Sequence, residues 1–161
     1  RRQRPDVYKR QSYNLVPYLS VRENIAISDT LAGRRSDQRR LEEVLSRLRL
    51  ESRANSLTST LSGGEQQRVA LGRILYRRPA IVFADEPTGA LDTRSASVVL
   101  YELRRLADEG ATVVLVTHDL NAASLADSVM ILRDGHIISR LDSGISSEIL
   151  LSIMNNAVEG E

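Results

Sequence analysis

Apolar residues recur at helical spacing in some stretches of the chain and in short continuous runs in others, and this alternation sets the order of elements. Residues 12–27 mix turn formers with apolar positions, and Ser20 followed three residues later by Glu23 has the capping-box spacing that opens a helix. A loop and then a short helix are expected there. Over 37–50, Leu41, Val44, Leu45 and Leu48 share one helical face with arginine and glutamate between them, which predicts an amphipathic helix against a core. Residues 52–61 read as a polar connector. A helix over about 65–77 stops before Pro79, and the apolar run at 80–84 predicts a buried strand. The next helix, about 94–109, ends at Gly110, and a second buried strand is expected at 112–117. A short helix near 121–126 leads to strand-like runs at 128–132 and 136–139, joined by Asp134-Gly135, a hairpin signal placed at the sheet's edge. From Ser146 the tail predicts one amphipathic helix. Strand alternating with helix implies an α/β fold built on a parallel sheet.

The 161 residues suit one domain, and 42% hydrophobic content is enough for a core, which excludes a disordered or fibrous chain. No apolar run approaches the roughly 18 residues a spanning helix needs. Any membrane role must come through a partner. With no cysteine there is neither a disulfide framework nor a thiolate metal site. The net charge of +1 is unevenly spread: within residues 1–11, Arg1, Arg2, Arg4, Lys9 and Arg10 face only Asp6, so the remainder is net negative. That balance argues against a nucleic-acid-binding body, and no nucleic-acid partner is expected. Residues 1–11 are expected to be a non-native segment, because DVYKRQ resembles the in-frame translation of a transposase-type sequencing adaptor. The authentic chain is expected to start near Ser12, inside a domain.

Chemistry enters at three places. LSGGEQQR, residues 61–68, directly precedes a helix; two glycines permit close backbone approach to a phosphate, Ser62 offers a hydroxyl, and the helix start offers free N–H groups to an anion. Taken alone, such a segment is as easily a plain helix cap. IVFADE, residues 81–86, delivers two adjacent carboxylates at the C-terminal end of a strand, the edge where open α/β sheets bind ligands. Two neighbouring acids repel unless a cation or proton sits with them, so Asp85 suits magnesium and Glu86 a general base acting on water. Thr117-His118-Asp119 ends the second strand at the same edge, which makes His118 a candidate γ-phosphate sensor.

Together these motifs resemble the ATP-binding cassette family over about residues 11–138. LSGGEQQR looks like its signature motif, IVFADE its Walker B motif with catalytic glutamate, ALD ending at Asp92 its D-loop, and THD its switch histidine. QSYNL, from Gln11, looks like the Q-loop. SYNLVPYLSVRENI and ADEPTGALD are similar to the ATPases of macrolide-export, lipoprotein-release and antimicrobial-peptide-resistance transporters.

The resemblance implies a P-loop NTPase-type core with a parallel sheet, an α-helical signature subdomain at about 20–62, and a sheet core with C-terminal tail over 63–161. It implies ATP and Mg2+, a homodimer in which Ser62, Gly63, Gly64, Glu65 and Gln66 act on the partner's nucleotide along with Asp92, and integral membrane permease subunits. Gln11 would touch magnesium and the attacking water, beside Asp85, Glu86 and His118. A place at the cytoplasmic face of the membrane and an export or extraction role follow from the same likeness. Tyr13, Leu15, Val16, Pro17 and Leu19 are expected to lie exposed as a docking surface for a permease helix. The family's Walker A loop, G-x-x-x-x-G-K-[ST], has no counterpart here, and Lys9 is the sole lysine. The chain on its own is therefore expected neither to bind nor to hydrolyse ATP, and to leave apolar surface exposed. Alternatives are a soluble cassette ATPase of translation or DNA repair, or a fragment that only binds a partner.

Overall fold

The computed structural model describes residues 13–89, 91–142 and 145–159, with side chains as far as Asn155. Packing divides the chain into two compact units, one ending at Arg77 and one starting at Arg78. The sequence pattern put the change near Ser62, but the helix that starts there packs on the helices before it and stays with them.

In the first unit, α1 (Val21–Leu31) opens as the capping box requires. The Ser20 hydroxyl accepts from the Glu23 amide at 3.2 Å, and the Glu23 carboxylate accepts from the Ser20 amide at 2.8 Å. Helix α2 (Gln38–Arg47) is capped by Asp37, whose side chain accepts from the Arg40 amide at 3.1 Å. It stops earlier than the apolar pattern suggested. Arg49 turns left-handed at φ 55°, and the Leu50 amide reaches back to the Leu45 carbonyl at 2.9 Å while the Arg49 amide bonds Ser46 at 3.0 Å, a Schellman stop with arginine in the usual glycine place. Leu48 and Leu50 are nonetheless buried. Short 3-10 turns at Glu51–Arg53 and Thr58–Thr60 give the connector its form. Helix α3 (Gly63–Arg77) lies on α1 and α2, and the packing at Gly72 is tight: a Cβ there would stand 2.9 Å from Ile25 Cγ1 and 3.1 Å from Leu48 Cδ1.

In the second unit, β1 (Ile81–Asp85) and β2 (Thr112–Val116) pair in parallel, Ile81 beside Thr112 through Asp85 beside Val116. The crossover is α4 (Thr93–Asp108), which buries Val99, Leu103 and Leu106 and packs on β2. The strands are not buried throughout, as the continuous apolar runs suggested. Val82 is buried and Ala84, Val113 and Leu115 are half-buried on the face toward the core, while Ile81, Phe83, Val114 and Val116 share the opposite, exposed face. The reason is that α4 covers one face only. Helix α5 (Leu120–Ala123) and α6 (Ser147–Glu159) pack together, with Ala122 and Leu150 buried. β3 (Val129–Arg133) and β4 (His136–Leu141) form the antiparallel hairpin, turning through Asp134 and Gly135 at φ 49° and 79°. The hairpin is a separate two-stranded sheet and not an edge of the first. A cavity of about 350 Å³ is lined by α4, β2 and residues 125–128.

Candidate active site

The acid pair sits where β1 ends. Asp85 is the last strand residue, exposed, and its carboxylate has no hydrogen bond among the described residues. Glu86 continues the ladder by donating its amide to the Val116 carbonyl at 2.8 Å, then leaves the strand direction at φ 44°. A left-handed non-glycine residue costs on the order of 1–3 kcal/mol, and such strain collects at functional positions. The turn Glu86-Pro87-Thr88-Gly89 is closed by the Gly89 amide on the Glu86 carbonyl at 3.2 Å.

The turn brings the Glu86 side chain to the end of β2. Its Oε1 accepts from the His118 amide at 3.0 Å and stands 2.8 Å from His118 Nδ1, while Oε2 accepts from the Thr117 hydroxyl at 3.4 Å. The His118 side-chain hydrogen bond, above the other contacts, holds the Glu86 carboxyl below the usual glutamate range. Thr117 in turn accepts from the Asp119 amide at 3.0 Å, and Asp119 caps α5. The sequence therefore placed Glu86 and His118 together correctly. Thr117 joins them, a contact the THD motif carried but the residue reading did not single out.

Asp92 is the N-cap of α4, accepting from the Ser95 amide at 3.0 Å and the Ser95 hydroxyl at 2.9 Å. In the helical unit, Ser62 caps α3. Its hydroxyl accepts from the Glu65 amide at 3.3 Å, and the Glu65 carboxylate takes the Ser62 amide and hydroxyl, each at 2.9 Å. The Ser62 amide is the foremost of the contacts that keep the Glu65 carboxyl below its ordinary range. Gln66 donates from Nε2 to the carbonyls of Thr58 and Leu61, at 3.1 and 3.3 Å. Ser62 and Gly63 are exposed, Gly64 is half-buried, and a Cβ on Gly63 would meet nothing within 4 Å. Among the described residues, no neighbour crowds the position of Gly63. Gln11 lies outside the described residues.

The residues expected as an exposed docking surface are mostly half-buried; only Pro17 is exposed, beside Tyr18 at 77%. The cause is a polar network that the sequence reading missed. Asn24, fully buried, accepts at Oδ1 from the Val16 amide at 2.9 Å and donates from Nδ2 to the carbonyls of Val16, Leu19 and Ser20 at 3.0 to 3.1 Å. Arg73 of α3 donates to Asn24 Oδ1 and to the Asn14 carbonyl, both at 2.7 Å, so that it ties the loop to the signature helix. An asparagine between Val21 and Ile25, on the apolar face of α1, was the available signal.

Among the described residues no three His, Cys, Asp or Glu side chains gather as a metal cluster. A hard divalent cation such as Mg2+ needs less from the protein, since one or two carboxylates suffice when phosphate and water complete its shell. The uncommitted Asp85 carboxylate fits that requirement, whereas Glu86 is engaged by His118.

Solved structures share this arrangement of elements. A dimeric ATP-binding cassette in a post-hydrolysis state, bound to ADP and Pi, has 35% sequence identity and a TM-score of 0.71 over 82% of this chain and 60% of that one. A dimeric bacterial ABC transporter cassette has 36% identity and a TM-score of 0.69 over the same shares. The fold is that of an ATP-binding cassette. More particularly, the family model for ABC transporters matches residues 2–89, and the chain belongs to that family. The macrolide export ATP-binding/permease protein MacB of Pasteurella multocida is 42% identical over 144 residues, 88% of this chain and 22% of that protein. MacB of Shigella flexneri is 44% identical over 130 residues, 80% of this chain and 20% of that protein. The chain thus spans about a fifth of the length of these curated relatives.

Proposed function

We propose that this chain carries the hydrolytic edge and the signature segment of an ATPase that powers a membrane transporter, working as a homodimer on the cytoplasmic face and exporting or extracting its cargo. The observation that carries the reading is the Glu86–His118 contact at 2.8 Å, which joins a candidate base and a candidate phosphate sensor from adjacent parallel strands. Glu86 is the general base that takes a proton from the attacking water. While His118 holds it, its proton affinity is lowered and it is a poor acceptor. If the imidazole turns to the γ-phosphate, the carboxylate is released and its basicity rises toward that of an ordinary glutamate. The histidine therefore gates the base. Asp85 is the residue that holds Mg2+, which would supply neutralisation of phosphate charge. Gln11 contributes to the same water and cation.

Ser62, Gly63, Gly64, Glu65 and Gln66 present a capped but open helix start to the partner's nucleotide, and Asp92 is assigned to the partner's nucleotide as well. An N-terminus free of side-chain bulk favours an anion through its amides and dipole. The relatives' names combine ATP-binding with permease, which supports a permease as the partner. Its docking surface is the loop around Pro17 and Tyr18. A complete protein that includes this chain tests the assignment. Glu86→Gln is expected to keep Mg2+–ATP binding and slow single-turnover hydrolysis by about 10²–10⁴-fold. Asp85→Asn is expected to weaken the Mg2+-dependent part of binding instead. Parent-rate hydrolysis by Glu86→Gln would remove Glu86 from the role of base.

A further inference from the structure

The helical unit carries a second concave site, away from the residues assigned to ATP. Its cavity, about 280 Å³, is lined by Asp29, Arg34, Asp37, Arg40, Tyr76 and Arg77. These come from the end of α1, the loop into α2, the first turn of α2 and the last turn of α3. Three guanidinium groups meet two carboxylates there, and both carboxylates are already committed. Asp29 accepts from the Tyr76 hydroxyl at 2.6 Å and from Arg34 at 2.8 Å and 3.2 Å. These bonds, that of Tyr76 first, hold its carboxyl below the usual aspartate range. Asp37 caps the Arg40 amide at 3.1 Å, and its own amide donates to the Tyr76 hydroxyl at 2.8 Å.

Acceptors run out at the other two arginines. Arg40 lies over the Tyr76 ring, 5.6 Å from its centre, and gives one bond to the Leu75 carbonyl at 3.3 Å. Its Nε is buried and has no partner. Arg77 is exposed and acts on Asp29 only through space. Arg35 and Arg39, adjoining in sequence and exposed, add positive charge without adding an acceptor.

We propose that this cavity binds a phosphate-class anion between Arg40 and Arg77, with Arg34 at its rim. Guanidinium forks match phosphate oxygens in pairs, and the Tyr76 ring holds the Arg40 plane ready for one. A phosphate brings several acceptor oxygens to a place where donors outnumber acceptors. The phosphate is that of either a soluble phosphate ester or an anionic lipid headgroup. The site shares no residue with the ATPase assignment, and the two stand or fall separately.

The test uses the full chain, isotope-labelled, with inorganic phosphate titrated in while the arginine Nε–H resonances are followed. The Arg40 resonance is expected to move and saturate, and Arg77→Gln, an exposed substitution outside the folding contacts, to weaken the affinity by about tenfold or more. Arg40→Lys, which keeps the charge but loses the fork, is expected to weaken it similarly. Flotation with phosphatidylglycerol and phosphatidylcholine vesicles separates the sources. Capture by the anionic vesicles alone, lost in Arg77→Gln, assigns a lipid headgroup; saturable phosphate binding without vesicle capture assigns a soluble ester. Absence of both, or unchanged phosphate affinity in the two variants, overturns the proposal.

Discussion

The Glu86 carboxylate makes three contacts with two residues just past β2, Thr117 and His118, while its backbone is held at φ 44°, so one residue carries both the strain and the electrostatics of the candidate site. Its folded carboxyl titrates below its ordinary value of 4.5. A depressed folded value means the contact stabilises the folded edge at pH above the unfolded value, and that this contribution is lost as pH falls through the lowered one. A carboxyl-carbon NMR titration of the chain is expected to give Glu86 a midpoint below 4.5, and His118→Ala to move it upward, because the imidazole hydrogen bond that holds it down is then gone. An unchanged midpoint in His118→Ala would separate the two side chains in solution. The result bears directly on whether the histidine restrains the base.

At the scale of elements, Gly72 of α3 packs closely against Ile25 of α1 and Leu48 at the end of α2. Gly72→Ala places a methyl against Ile25 and Leu48, both fully buried, and is expected to destabilise the helical unit by roughly 1–3 kcal/mol. Urea unfolding measures it. A gain in stability, as intrinsic helix propensity alone would give, would show that the helices separate freely. Most of this layer was legible in the sequence, since capping residues and apolar periodicity are local. Ser20 with Glu23, Asp37 and Asp92 each cap a helix at or near its expected start. The positions of Asp85, Glu86, His118 and the Ser62 cap at element ends were legible for the same reason, as each belongs to a short local motif. What escaped was relational. Whether Phe83 faces core or solvent depends on which helix covers the strand, and Asn24 becomes a hub only because Val16, Leu19 and Thr58 converge on it from distant positions. The hairpin was recognised from its turn, but whether it joins the first sheet depends on pairing between distant segments, which no local pattern records.

Across the whole molecule, the exposed face of β1 and β2 gathers Ile81, Phe83, Val114 and Val116, with Phe83 at 78% exposure. Contiguous apolar surface of this kind drives association. The chain is expected to self-associate at micromolar concentration, and Phe83→Arg to shift it toward monomer in sedimentation without altering its helical circular dichroism. Equal association by the variant would place the sticky surface elsewhere. Two residues in the left-handed region then part company. Glu86 holds that strained backbone where the proposed chemistry needs its carboxylate, whereas Arg49 holds it only to end α2. Replacing Arg49 with glycine removes a penalty of roughly 1–2 kcal/mol, which for a unit of this size corresponds to about 4 °C or more in Tm. An engineer wanting a hardier chain can take heat resistance from the end of α2 and leave the turnover machinery as it stands.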